Sequence, residues 1–152
     1  MNVRRIPLRR FPDERGWFME LMRASSLEKP VRQANVAFSH KGVIRALHYH
    51  ERGQDDLFAC ISGMVRVVVL DRDTGETFTE DIGDDNPVAL YIPGTCAHGY
   101  EALTDCLFVY HVTEEYEAGD PDEHGVAWND PRVRHLWSTS SPILSARDTP
   151  AS

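Results

Sequence analysis

Short segments with the composition of β-strands, separated by turns rich in glycine, proline and aspartate, run along almost the whole chain. The clearest of these segments are residues 57–61, 64–70, 77–82, 88–92 and 106–112, and Gly99 after His98 indicates a further turn. No segment of ten residues or more has the apolar spacing of an amphipathic helix. Many short strands at this spacing are typical of sandwiches and barrels. We therefore predict an all-β fold, a cupin-like jelly-roll barrel with short N-terminal strands.

The length of 152 residues fits one domain with a core of its own. We assign residues 1–137 to a single cupin-like domain. Residues 138–152 are rich in serine, threonine and proline, and we expect them to form a loosely held C-terminal tail.

Charge and composition narrow the possible partners. The formal net charge of −8 offers no basic surface to a phosphate backbone, so we expect no nucleic-acid partner. No apolar run approaches the length of a membrane span and no secretory signal is recognisable, so we expect no membrane partner and a cytoplasmic protein. The 3 cysteines are widely spaced, which favours core positions over disulfides or a zinc site.

The predicted strand at residues 41–50 carries the most chemically reactive side chains. Because side chains alternate along a strand, His48 and His50 are expected on one face and Arg45 on the other. A small barrel binds its ligand where inward-facing polar side chains converge. We expect His48 to line such a site, which Arg45 can reach only through a bulge or from the rim.

The residues alone leave two kinds of chemistry open. His48 and His50, followed by Gln54 or Asp56 and then by His98, approximate a metal-binding pattern. Imidazoles with an oxygen ligand suit iron, manganese, zinc or nickel. Alternatively, a histidine oriented by a carboxylate can remove a proton next to a carbonyl group as a general base, without a metal.

Separated blocks of the sequence together resemble the dTDP-4-dehydrorhamnose 3,5-epimerases, which are nucleotide-sugar enzymes of cupin fold. The blocks occur in the order of that family and extend over nearly the whole chain. They are residues 13–20 (DERGWFME), 33–35 (QAN), 41–49 (KGVIRALHY), 92–94 (IPG) with 97–100 (AHGY), Tyr110, Gly125 with 128–131 (WNDP), and 144–148 (LSARD).

The resemblance implies an isomerase that acts on a dTDP-linked, or other nucleoside-diphosphate-linked, 4-keto-6-deoxyhexose. It implies proton abstraction at C3, C5 or both through an enolate, with no cofactor. His48 would be the base, Asp130 would hold its imidazole, and Tyr110 would be the acid on the opposite face of the sugar. The substrate contacts implied are Arg15 and Arg45 at the diphosphate, Phe18, Glu20, Gln33 and Asn35 at the nucleoside, and His98 in the sugar pocket. In the family a neighbouring subunit completes the site, which implies a homodimer.

Three positions depart from the family pattern. Asp56 stands at the pocket position where the family carries a lysine, His50 replaces a glutamine and Ala46 replaces a glycine. An anion at position 56 would oppose the enolate charge that a lysine stabilises. Two alternatives therefore stay open: a metal-dependent cupin enzyme that uses His48, His50, Asp56 and His98, or a non-catalytic nucleotide-sugar-binding paralogue.

Overall fold

The structure, a computed structural model, describes residues 1–150 of the chain. These residues form twelve β-strands and two short 3₁₀ helices, Ala24–Ser26 and Arg134–Leu136. The strands are β1 (Arg4–Pro7), β2 (Arg10–Asp13), β3 (Gly16–Met19), β4 (Gln33–Ser39), β5 (Ile44–Tyr49), β6 (Asp56–Ser62), β7 (Met64–Leu70), β8 (Thr77–Gly83), β9 (Val88–Ile92), β10 (Ala97–Ala102), β11 (Cys106–Val112) and β12 (His124–Gly125). None of the described helices has the length and apolar character needed to cross a membrane.

Ten of these strands form two antiparallel sheets of five strands each. The first sheet has the order β1-β9-β6-β11-β4, and the second sheet has the order β12-β5-β10-β7-β8. Strands β2 and β3 pair only with each other, as a separate hairpin. The predicted all-β, cupin-like fold is confirmed.

The main core lies between the two sheets. Phe58 and Phe108 of the first sheet pack in one buried cluster with Val67 and Ile82 of the second. Alternate residues of each strand point into this layer, as expected for two sheets packed face to face. Burial of these apolar side chains therefore determines which face of each strand in the two large sheets points inward.

The chain ends cover the outer faces of the sheets. Leu8 packs with Leu57 on the outside of the first sheet. On the outside of the second sheet, Val133 and Trp137 pack against Val68. The central strands are thus buried on two sides, which explains why several of them read as continuous apolar runs rather than as alternating patterns.

Strand β10 was not expected from the sequence. Residues 97–102, within which Gly99 indicated a turn, form this strand in the second sheet. A side-chain Cβ at Gly99 would lie 2.3 Å from the carbonyl oxygen of Arg45. The glycine therefore permits a close approach of two strands and does not mark a turn.

The expectation of a loosely held tail is wrong for residues 138–150. The Ser138 amide donates to Glu101 Oε1 at 2.8 Å, and the Ser138 hydroxyl donates to Oε2 of the same buried carboxylate. Ile143 exchanges backbone hydrogen bonds with Gly42 and Ile44 at 3.0 and 3.1 Å. The tail is held because it satisfies a buried carboxylate and extends the pairing of the second sheet. Residues 151–152 of the predicted tail lie outside the described residues.

Candidate active site

A cavity of about 150 Å³ lies between the two sheets. The first sheet contributes Asp56, Phe58 and Tyr110 to its lining, and the second contributes Arg45, His48 and His98. Five of these six residues were predicted as site residues from the sequence. The polar groups converge on a partly apolar space, which is the usual composition of a small-molecule site.

His48 is paired with a carboxylate in this cavity. Its Nε2 atom lies 2.7 Å from Oδ1 of Asp148, whose side chain is 5% exposed. The predicted pairing with Asp130 is wrong, because both Asp130 oxygens lie 3.0 Å from the Arg132 guanidinium in a surface turn. Asp148 belongs to the segment predicted as a loose tail, which instead brings this carboxylate to His48.

The carboxylate of Asp148 stays ionised. Burial alone would raise the pKa of Asp148, but the hydrogen bond and charge of His48 outweigh burial and lower the pKa. An ionised carboxylate favours a proton on Nε2, so Nδ1 is the basic nitrogen of the neutral ring. The arrangement is that of a general base held in one tautomer by a buried acceptor.

A bulge in β5 brings Arg45 to the same cavity as His48. Strand β10 pairs His98 with His48 and Tyr100 with Arg45, so three steps along β5 match two along β10. The extra residue shifts the alternation of side chains by one position. Arg45 and His48 therefore both line the cavity, and the bulge or rim position expected from their odd spacing is confirmed as a bulge.

Tyr110 lies in the first sheet, on the other side of the cavity from His48. Burial raises the pKa of Tyr110, and the negative charges of Asp56 and Glu123 raise it further. The phenol therefore carries its proton at neutral pH. A base on one wall and a proton donor on the other can act on opposite faces of a bound ring.

Three buried residues form a second polar group in the cavity. Nε2 of His98 lies 3.0 Å from Oδ2 of Asp56, and Nε2 of His50 lies 3.6 Å from Oδ1. Burial would raise the pKa of Asp56, but the two imidazoles lower it below its usual range. Burial would likewise lower the pKa of His50, and Asp56 raises it instead. Of the four residues named in the metal-dependent alternative, His48 is not part of this group, because its Nε2 lies 2.7 Å from Asp148 Oδ1.

A wider groove of about 810 Å³ adjoins the cavity and shares His50, Gln54 and Tyr110 with it. Gln33 and Asn35, predicted to border the nucleoside, line this groove, and the amide of Gln33 donates to Asn35 Oδ1 at 3.0 Å. The opposite wall comes from an acidic loop, residues 114–123. The groove is open enough to admit a larger group joined to a sugar in the cavity.

Three predicted substrate contacts lie elsewhere in this chain. Arg15 is 84% exposed and pairs with Asp13, at 3.1 Å from Nε to Oδ2. Glu20 pairs with Arg23 at 2.9 Å, and Phe18 is 67% exposed. All three belong to or follow the β2–β3 hairpin, which pairs with neither large sheet. Neither the cavity nor the groove includes them.

Sequence reasoning missed two residues that contact His48. Asp148 is the first, and Arg147 is the second, with Nη2 3.2 Å from His48 Nε2 and Nη1 2.6 Å from Glu123. No strand pattern marks the segment that carries them, so periodicity gives no signal there. The one signal in the sequence is the block 144–148, which is part of the resemblance to the epimerase family.

The comparison with known proteins agrees with this geometry. A family model described as dTDP-4-dehydrorhamnose 3,5-epimerase matches residues 1–152. The spore coat polysaccharide biosynthesis protein SpsL of Bacillus subtilis is 39% identical over 140 residues, 87% of this chain and 92% of that protein. The dTDP-4-dehydrorhamnose 3,5-epimerase of Escherichia coli is 36% identical over 152 residues, 91% of this chain and 82% of that enzyme.

Solved structures show the same similarity. The dTDP-4-dehydrorhamnose 3,5-epimerase of Bacillus anthracis, determined with TDP and PPi bound, gives a TM-score of 0.86 at 29% identity, covering 97% of this chain and 91% of that chain. ChmJ, a 3'-monoepimerase from Streptomyces bikiniensis determined with dTDP-quinovose, gives 0.85 at 28% identity, covering 96% and 80%.

Proposed function

Because this chain belongs to the dTDP-4-dehydrorhamnose 3,5-epimerase family, we propose that His48 and Tyr110 are the groups with which it inverts carbon centres of a 4-keto sugar. The chain is a nucleotide-sugar isomerase. The substrate that we propose is a dTDP-linked, or other nucleoside-diphosphate-linked, 4-keto-6-deoxyhexose. The buried pairing of His48 with Asp148, across the cavity from Tyr110, is the observation that carries this assignment.

The proposed reaction is a proton exchange through an enolate. Nδ1 of His48 accepts the proton from the carbon next to the keto group, and the electron pair moves to the keto oxygen. Asp148 stabilises the imidazolium that results, because its ionised carboxylate accepts a hydrogen bond from the protonated Nε2 of His48. Tyr110 then gives a proton to the same carbon from the other face as the electron pair returns from the oxygen, which restores the ketone and inverts the carbon. The imidazolium of His48 releases its proton to solvent, and the tyrosinate takes one up from solvent.

Arg45 is the protein's own candidate for holding the diphosphate near the cavity. Its Nε donates to Ser39 Oγ at 3.0 Å, which fixes the guanidinium at the cavity wall. A guanidinium offers several donors in a planar fork that suits phosphate oxygens. The acidic loop 114–123 would repel phosphates, so we place the diphosphate on the side of Arg45 and the nucleoside beside Gln33 and Asn35.

Deuterium incorporation tests the proposal. A dTDP-4-keto-6-deoxyhexose is incubated with the protein in deuterated water, and the label at C3 and C5 is followed by mass spectrometry and NMR. We expect label at one or both carbons, and its loss in His48→Asn. His40→Asn is the matched control because His40 is exposed on the surface. Absence of label with dTDP-, UDP- and GDP-linked 4-keto sugars would refute the proposed substrate class.

We also propose a homodimer in which the hairpin of one subunit completes the site of the other. Strand β4 is an edge strand with exposed apolar side chains, Val36 at 67% and Phe38 at 51%. The hairpin exposes Trp17 at 51% and Phe18 at 67%. Exposed apolar groups of this size are typical of interaction surfaces. Such a dimer would also bring Arg15 and Glu20 towards the groove that Asn35 lines.

The oligomeric state can be measured by light scattering after size exclusion. We expect a dimer for the wild type and a folded monomer for Val36→Asp. Thr79→Asp is the matched control, because Thr79 is an exposed residue on the edge strand β8 of the other sheet. A monomeric wild type would contradict this proposal.

We also propose a cytoplasmic location, because the 3 cysteines are all buried and free. Cell fractionation can check this location.

A further inference from the structure

The polar group of His50, Asp56 and His98 has no part in the proton transfers assigned to His48 and Tyr110. All three side chains are buried, with 5%, 6% and 3% exposure. One potential ligand atom of each lies within 4.8 Å of the others. They come from three places in the fold: His50 directly follows β5, Asp56 begins β6 and His98 lies in β10. A buried group of this composition needs a physical reason to exist.

The backbone fixes the direction of both imidazoles. Nδ1 of His50 lies 2.7 Å from the carbonyl oxygen of Asp122, and Nδ1 of His98 lies 2.8 Å from that of Cys96. A carbonyl oxygen only accepts, so each Nδ1 carries a proton and donates it. Each neutral ring then points the lone pair of Nε2 towards Asp56, whose oxygens are also acceptors. Three acceptors that face one another are stabilised by a positive charge between them, which is either a proton on one of the imidazoles or a bound metal ion.

We propose that His50, Asp56 and His98 bind a divalent first-row transition-metal ion. Metal-binding histidines usually donate their other ring nitrogen to a backbone carbonyl or carboxylate, as both imidazoles do here. Ligands about 2.1 Å from such an ion are separated from one another by roughly 3.0–3.4 Å. The separation of 3.0 Å between His98 Nε2 and Asp56 Oδ2 lies within this range, and the 3.6 Å between His50 Nε2 and Asp56 Oδ1 is about 0.2 Å longer.

Gln54 supplies a fourth ligand in this proposal. Its amide group lies 2.9 Å from Asp56 Oδ1 and 3.2 Å from His50 Nε2. The two ends of an amide differ only by rotation of the group, so its oxygen can take the position assigned to the nitrogen. Two imidazoles, one carboxylate and one amide oxygen suit Zn²⁺, Fe²⁺, Mn²⁺ or Co²⁺.

The proposed ion would add a positive charge beside Asp56, in the cavity that Arg45 and Arg147 also line. It would lie in the cavity that His48 and Tyr110 line, and this part of the inference rests on the proposed function. The keto oxygen of the sugar can become a further ligand, which stabilises the negative charge that the enolate places there. Asp56, which replaces the family's lysine, would then hold the cation instead of opposing the enolate.

Metal binding is tested directly with untagged protein that has been stripped with EDTA. Co²⁺ is titrated against the full-length protein, and binding is followed by the visible d–d absorption of the ion and by calorimetry. We expect one ion per chain, and at least 100-fold weaker binding in Asp56→Asn and in His50→Gln. His40→Gln should bind as the wild type does. Wild-type protein that binds no stoichiometric Co²⁺, or variants that bind it unchanged, would overturn the site.

The role of the ion is tested with the deuterium-exchange assay on stripped and Zn²⁺- or Co²⁺-loaded protein. We expect stripped protein to lose at least 100-fold in exchange rate and reloading to restore it. Equal exchange in both states would overturn the role of the ion while the proposed function stands. No exchange in either state, in protein that binds the ion, would overturn both the proposed function and the role of the ion, and would support the site alone.

Discussion

Replacing Asp148 by Asn separates the two aspartates that were candidates for holding His48. The amide has almost the same size as the carboxylate, so the tail that carries position 148 should keep its place. The charge is lost, however, and with it the stabilisation of the imidazolium that forms when His48 accepts a proton. We expect the variant to fold and to exchange deuterium slowly.

The expected decrease in exchange rate can be worked out from the contact between His48 and Asp148. The atoms His48 Nε2 and Asp148 Oδ1 are 2.7 Å apart, and the carboxylate is 5% exposed. A hydrogen bond between charged groups contributes about 1.5–3 kcal/mol, and about 1.36 kcal/mol corresponds to a factor of ten in rate. Loss of this bond in the charged state therefore predicts a decrease in exchange rate of roughly 10- to 150-fold.

Asp130→Asn is the matched control. Asp130 forms its ion pair with Arg132, which is 43% exposed, and an exposed pair contributes little. We expect its exchange rate to stay within about twofold of the wild type. The double variant His48→Asn, Asp148→Asn should be no slower than His48→Asn alone, because the two residues act as one unit. An equal decrease in exchange rate in Asp130→Asn and Asp148→Asn would refute the assignment of Asp148 as the partner of His48.

Three further outcomes are expected. Tyr110→Phe should keep the exchange of the proton that His48 removes but lose the inverted product, which chiral analysis of the recovered sugar would detect. Phe108→Ala should lower the free energy of unfolding by about 3–5 kcal/mol in urea titrations, because Phe108 is fully buried with its ring 4.9 Å from that of Phe58. The lowered pKa of Asp148 stabilises the fold above the unfolded aspartate pKa of about 3.9, and this contribution is lost as the pH falls through the lower folded pKa. The difference in unfolding free energy between the wild type and Asp148→Asn should therefore shrink between pH 6 and pH 3; a constant difference would contradict this reasoning.

The sequence was sufficient to predict the positions of most strands, because glycine, proline and aspartate mark the turns between them. It failed at β10, where Gly99 serves the close approach of β5 instead of a turn. A glycine has the same appearance in both situations, and only the partner strand distinguishes them. It also failed for residues 138–150, because the composition of a tail gives no information about the buried Glu101 carboxylate that this segment satisfies.

In the site, too, the sequence identified residues that a local pattern marks and missed those that come from a distant part of the chain. His48 was identified from its own strand, and the odd spacing from Arg45 correctly required a bulge. The partner of His48 lies 100 positions away in the chain, in a segment without secondary-structure periodicity. Asp130 was a plausible partner in the sequence, but a short turn to Arg132 already uses its carboxylate.

The two departures at His50 and Asp56 have to be interpreted together. Taken alone, an aspartate in place of a lysine removes a cation from the cavity and adds an anion, which argues against enolate chemistry. In the structure this anion lies between two imidazoles, 3.0 Å from His98 and 3.6 Å from His50. The histidine at position 50 therefore compensates the change at position 56, because both side chains face the same point. A substitution that seemed to remove the stabilising charge has instead created a place that can bind one.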